Sequence, residues 1–201
     1  MKNSWLIKSG FLVPVIFWTT TLICGFILTD YNHSSRMVSE LGEIGTETQH
    51  IFTFGLVLTS FFSILFIIGL FRTCRQIGLN TIPVLLLLTF SFSIFGAAIF
   101  PYPLRLHGLL GMPSILLFLS PLLSLILWKS EIISNIKLIS LLTLLILLLG
   151  FIVFIPNVLT DYFGLKQRFF HIGWTVWFIY LSSIFIALEK NYKKTDRVPS
   201  H

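Results

Sequence analysis

Charged side chains are scarce in this sequence. Of its 201 residues, 14 are basic and 8 acidic, so 11% are charged, less than half the ~25% typical of soluble domains. Mean hydropathy is +0.91. A chain so poor in charge is accounted for if lipid rather than water solvates most of it. Cysteine is almost absent as well. Cys24 falls deep in an apolar run and Cys74 in a short connection at the opposite face. A disulfide needs Cα atoms within about 7 Å, so two free thiols are expected. There is no CxxC, HxxxH or HExxH spacing, no internal repeat of about 20–50 residues, and no basic stripe with interleaved aromatics on a soluble module. Nucleic acid is therefore not an expected partner, despite the net charge of +6. The first apolar run follows Lys2 and Lys8 but lacks a small-x-small cleavage site, so it reads as a retained helix rather than a signal peptide.

Long uncharged runs fill the rest. Phe11–Thr29, Ile51–Phe71, Ile82–Phe100, Gly108–Trp128, Leu138–Ile155 and Phe169–Leu188 contain no Asp, Glu, Lys or Arg. At 1.5 Å per residue each reaches across the ~30 Å hydrocarbon core of a bilayer. The expected fold is an all-α integral membrane protein, a six-transmembrane-helix bundle forming one domain over residues 1–201, with a disordered tail at 189–201. Six spans put both termini on one side. That side holds Lys2, Lys8, Arg72, Arg75, Lys129, Lys137, Lys190, Lys193, Lys194 and Arg197, leaving Arg36, Arg105, Lys166 and Arg168 for the other. The positive-inside rule then predicts cytoplasmic termini in the cell membrane, with connections 1, 3 and 5 outward.

The outward side gathers most of the remaining polar chemistry. Connection 1 reads DYNHSSRMVSELGEIGTETQH and carries Asp30, His33, Arg36, Ser39, Glu40, Glu43, Glu47 and His50. His107 opens span 4, and Asp161, Lys166, Gln167, Arg168 and His171 surround the start of span 6; the fifth histidine, His201, ends the tail. Met37, Val38 and Leu41 recur at helical spacing, which predicts a short helix on the bundle mouth, with Glu40 paired to Arg36 four residues earlier. Glu43 and Glu47 read as solvated loop charges, and Thr46 or Thr48 as a cap for span 2. Gly96-Ala97-Ala98 and Gly108/Gly111 are small residues suited to close helix approach. Trp128, Trp174 and Trp177 have the positions of interfacial anchors, and Pro83, Pro113 and Pro121 permit kinks. Span 5 reads as plain lipid-facing structure.

VSELGEIGTETQHIFTFGL (38–56), IFP (99–101) followed by His107, and GLKQRFFHIGWTVWF (164–178) occur in that order. Together they resemble the bacterial and archaeal six-span membrane proteins of domain-of-unknown-function family 998, over essentially the whole chain. The most specific pieces are Ser39-Glu40-Leu41-Gly42 and the Gly164/Gln167/Arg168 pattern. An aspartate often follows the Phe-Pro pair in that family, and FPYPLRLH has none. The Ser-x-x-Gly pattern of the first loop is also similar to the Frag1/DRAM/Sfk1 group, a resemblance that implies lipid-associated roles.

Three functions fit these residues. The leading expectation is a site that binds or senses a lipid headgroup, with membrane lipids as partners. In it Arg105, Lys166 and Arg168 meet phosphate, while Asp30, His33, Ser39, Glu40, His107 and Gln167 supply hydrogen bonds. The alternative is a zinc-dependent intramembrane hydrolase of a lipid amide or ester. It needs His33, His107 and His171 to converge on zinc, Asp30 or Asp161 to handle protons, and Ser39 to polarise the carbonyl. A small-solute transporter comes third, because ionisable groups are missing from the middle of every span.

Overall fold

The computed structural model describes residues 3–195, and among them there are helices and turns but no strand. Lys2, Arg197 and His201 lie outside the described residues. Six helices are long and apolar enough to cross a membrane: α1 (Asn3–Ile27), α2 (Gln49–Gln76), α3 (Ile82–Ile99), α4 (Arg105–Leu127), α5 (Ile136–Phe154) and α6 (Phe163–Tyr192). Each neighbours the next around a ring that closes where α6 packs on α1, and α6 also touches α2 across the middle. The later connections are short and enforce this order, since each helix returns beside the one before it, whereas connection 1 is long enough to fold on its own.

Several boundaries differ from the sequence reading. Helix α1 begins at Asn3 rather than Phe11, because Asn3 donates to Thr73 Oγ1 (2.8 Å) and Gly69 O (3.3 Å) on α2. Cys74, expected in a connection, lies buried in the last turn of α2, and both thiols are free. Helix α6 begins at Phe163, so Lys166, Gln167 and Arg168 are helical residues. The tail expected to be disordered from residue 189 continues as helix to Thr195, and its remainder, 196–201, lies outside the described residues.

Packing explains the close pairing of α1 and α2. A Cβ on Gly69 would stand 2.8 Å from the Ile7 backbone nitrogen, so only glycine admits this approach. The core is aromatic. Phe90 lies 4.7 Å from Trp174 and 5.2 Å from Phe178, ring centre to ring centre, and Phe66 lies 5.3 Å from Phe178. The three tryptophans expected at membrane interfaces are fully buried instead. Each indole N–H finds an internal acceptor: Trp128 on Asn80 O (2.8 Å), Trp174 on His171 Nδ1 (3.0 Å) and Trp177 on Ser120 Oγ (2.9 Å). A buried indole has to pair its N–H, and these acceptors hold the rings inward.

The first half of α4 is the exception to tight packing. None of Arg105–Gly111 is buried, and Leu106, Leu109, Met112 and Leu116 are exposed. A Cβ on Gly96 would press on Leu110, as the small-residue reading expects, but Gly108 and Gly111 face open space. Around Pro113 the helix tightens into a 3-10 stretch over Met112–Phe118, since proline withholds one backbone N–H. Span 5, read from sequence as plain lipid-facing structure, ends in a 3-10 turn at Gly150–Phe154.

Candidate functional site

Connection 1 folds down onto the start of α6, and Arg168 is the pin. This side chain is only 9% exposed. Its guanidinium donates to Arg36 O (3.1 Å), Gly164 O (3.0 Å) and Tyr31 Oη (2.9 Å), and lies 3.0 Å from His33 Nδ1. Arginine has no acceptor, so His33 Nδ1 presents its lone pair here. Burial and the adjacent Arg168 charge hold His33 below the ordinary histidine pKa. Burial raises the Tyr31 phenol, with Arg168 opposing that shift. The Tyr31 hydroxyl passes the restraint on by donating to Met37 O (2.8 Å).

Backbone pairing completes the latch. Leu165 N–H donates to Ser34 O (2.9 Å) and Gly164 N–H to Ser35 O (3.3 Å). A Cβ on Gly164 would collide with the Arg36 carbonyl and come within 2.6 Å of that of His33. Beside these, the expected short helix is present as a 3-10 turn, Val38–Gly42. Glu40 binds Arg36 Nε (2.7 Å), which raises the Arg36 pKa, and its other oxygen accepts from Met37 N–H (2.8 Å). Arg36 Nη2 also comes within 4.0 Å of Glu43, whose side chain stays 35% exposed, in keeping with a solvated loop charge. Thr48 stands at the N-cap of α2, but its hydroxyl donates back to Leu41 O (2.6 Å) instead of capping, and that of Thr46 donates to Glu43 O (2.7 Å).

Beneath the latch lies a cavity of about 500 Å³. Its walls are mainly apolar, including Phe17, Val38, Phe52, Leu56, Ile94 and Met112, and its polar lining includes Ser39, Ser93, Arg105, His107, Gln167 and His171. Ile44 N–H donates to Tyr102 O (2.9 Å), which ties connection 1 to connection 3 at the same end. A smaller cavity of about 150 Å³ adjoins it between α3, α4, α5 and α6, and both touch Ile94, Ser114, Ile115, Gln167 and His171. Loose packing of the first half of α4 is what leaves the larger space open.

The histidines do not converge on a metal. Among the described residues no three His, Cys, Asp or Glu side chains are placed to hold an ion. His33 is engaged by Arg168. His107 Nδ1 sits 2.9 Å from Phe100 O and 3.2 Å from Ala97 O, so this nitrogen carries a proton. His171 lies about two turns inside α6, where its Nδ1 accepts from Trp174 and its Nε2 is buried without a partner. Asp30 and Asp161 are exposed and line neither cavity, so neither is brought to Ser39. Of the expected ligand-binding residues, Ser39, Arg105, His107 and Gln167 line the larger cavity; His33, Glu40 and Arg168 form the latch beside it. Lys166, expected to meet phosphate, is fully buried, with its Nζ 4.5 Å from the centre of the Phe163 ring. Tyr31 and Ser93 were not anticipated. Tyr31 sits in the polar loop sequence without a distinguishing neighbour, and Ser93 is a hydroxyl inside an otherwise apolar run.

These helices and this capped cavity define a multi-pass membrane protein. The chain belongs to the family described as "Protein of unknown function (DUF998)", which matches residues 11–184. That agrees with the resemblance carried by the Ser39–Gly42 and Gly164/Gln167/Arg168 motifs. No curated protein and no solved structure matches the chain, and the likeness to the Frag1/DRAM/Sfk1 group gains no support from these comparisons.

Proposed function

We propose that the protein binds a membrane lipid in the cavity beneath connection 1. The headgroup sits at the mouth, near Ser39, Arg105 and His107, and an acyl chain runs along the apolar wall between α3 and α4. The observation that carries this reading is the cavity itself: about 500 Å³, apolar in most of its lining, with a few polar side chains among them. Its volume falls in the ~300–1,000 Å³ range of small-molecule sites. The exposed outer half of α4 supports lateral entry from the bilayer.

Phosphate reading passes to Arg105 in this scheme. Arg168 spends its donors on protein acceptors, whereas Arg105 has no hydrogen bond or ion pair to another described residue. Its planar fork suits a phosphate bidentately. The cavity lining contains no Asp or Glu, which favours anionic over cationic ligands. The excess of basic residues at the terminal end of the bundle supports an outward-facing mouth in the cell membrane.

Lipid extraction from purified protein tests the proposal. After gel filtration in mild detergent, stoichiometric phospholipid should remain with the chain and decline when Arg105 is replaced by Ala. Protein that carries no lipid, and that takes up none when phospholipid is added back, would contradict it.

A further inference from the structure

Within the proposed lipid site, Gln167 and His171 stand one turn apart on the same face of α6, and both line both cavities. Their neighbours determine what each can offer. Trp174 Nε1 is only ever a donor, and it points at His171 Nδ1 (3.0 Å). That nitrogen therefore keeps its lone pair, and the proton of the neutral ring sits on Nε2. His171 is 7% exposed, and its Nε2 has no partner among the described residues. Gln167 is oriented in the same way. Val38 N–H donates to its Oε1 (2.7 Å), so the oxygen faces connection 1 and the amide NH2 lies on the other branch, with no hydrogen bond to another described residue.

The result is two donor groups, the His171 Nε2–H and the Gln167 amide, neither matched by an acceptor among the described residues and both carried by residues that line the two cavities. A buried donor left unpaired is costly, and the open volume its side chain touches is here the cavity pair. One carbonyl oxygen, with two lone pairs, can satisfy both. We propose that Gln167 and His171 together read the carbonyl of an acyl linkage, so that the site selects lipids whose chains are joined by ester or amide bonds and rejects ether-linked chains. This rests on the lipid-binding reading above. A dialkyl lipid has no carbonyl oxygen projecting from the chain, and its ether oxygen is crowded by two alkyl groups, so it leaves donors unpaired in the way that makes hydrogen-bonding sites discriminate strongly.

The test compares two phosphatidylglycerols of equal chain length, one diacyl and one dialkyl, titrated into the full-length protein in detergent. The headgroups are identical, so any preference arises below them. The expected result is a Kd at least about tenfold lower for the diacyl lipid, equivalent to ~1.4 kcal/mol. His171→Phe should remove that preference, so that the two lipids bind this variant with equal Kd. Because this variant also deprives Trp174 of its acceptor, the wild-type comparison is the primary readout and needs no variant to stand. Equal affinities in the wild type would overturn the carbonyl-reading pair, with water satisfying the donors, and would leave the lipid site intact. Binding of neither lipid would overturn both.

Discussion

Gly164 and Arg168 carry the constraints that hold connection 1 in place, and each has a sharp consequence. Gly164→Ala drives a methyl group into two carbonyl oxygens of the backbone. Overpacking of this kind costs ~1–3 kcal/mol, and a thermal melt in detergent should show a clear drop in Tm. Arg168→Lys keeps the charge but loses the fork that reaches Tyr31, Arg36 and Gly164 at once. Hydrogen bonds to charged groups are worth ~1.5–3 kcal/mol each, so hydrogen exchange at the Leu165 and Val38 amides should accelerate as strongly as in Arg168→Met. His33 gives the latch a pH dependence. Its folded pKa lies below the ordinary 6.5, so the unfolded chain takes up the proton first. The stability His33 contributes is present above pH 6.5 and is lost as pH falls through that value towards the folded pKa. Thermal melts from pH 7.5 to 5 should show this loss, and His33→Asn should flatten it.

Among the helices, α4 holds the weak half of the bundle. Gly108 and Gly111 look from sequence like contact residues, and the structure leaves both facing open space. Gly111→Leu should therefore fold at least as well as the wild type, since leucine favours a helix interior over glycine, while its side chain fills part of the cavity. Retained phospholipid should fall in this variant without a loss of Tm. The six spans themselves were legible because uninterrupted apolar length is a strong signal. Their ends were not, because polar residues such as Asn3 and Gln167 are paid for by tertiary partners. The tryptophans were misplaced for the same reason, since Asn80, His171 and Ser120 supply acceptors that no local pattern reveals.

At the scale of the whole molecule, the ring of six helices closes at α6 on α1 and brings connection 1 against the start of α6. The Ser39–Gly42 and Gly164/Gln167/Arg168 motifs are far apart in sequence and meet at this junction, where Val38 N–H donates to Gln167 Oε1. Their meeting at one end of the bundle was legible from topology. The cavity itself was not, because it arises from what α4 fails to pack against, and an absent contact leaves no periodicity behind. The charge distribution predicts that a cysteine introduced at Glu47 reacts with an impermeant thiol reagent added to intact cells, while one at Lys129 reacts only after the cells are opened.

The most direct test of lipid binding beneath connection 1 is to map where a photoactivatable phospholipid attaches. Cross-linked in native membranes and digested, the protein should carry label chiefly on the peptides spanning 93–97 and 104–115, which wall the cavity, and Gly111→Leu should suppress it. Label spread evenly over the exposed faces of all six helices, and unchanged in that variant, would contradict the account.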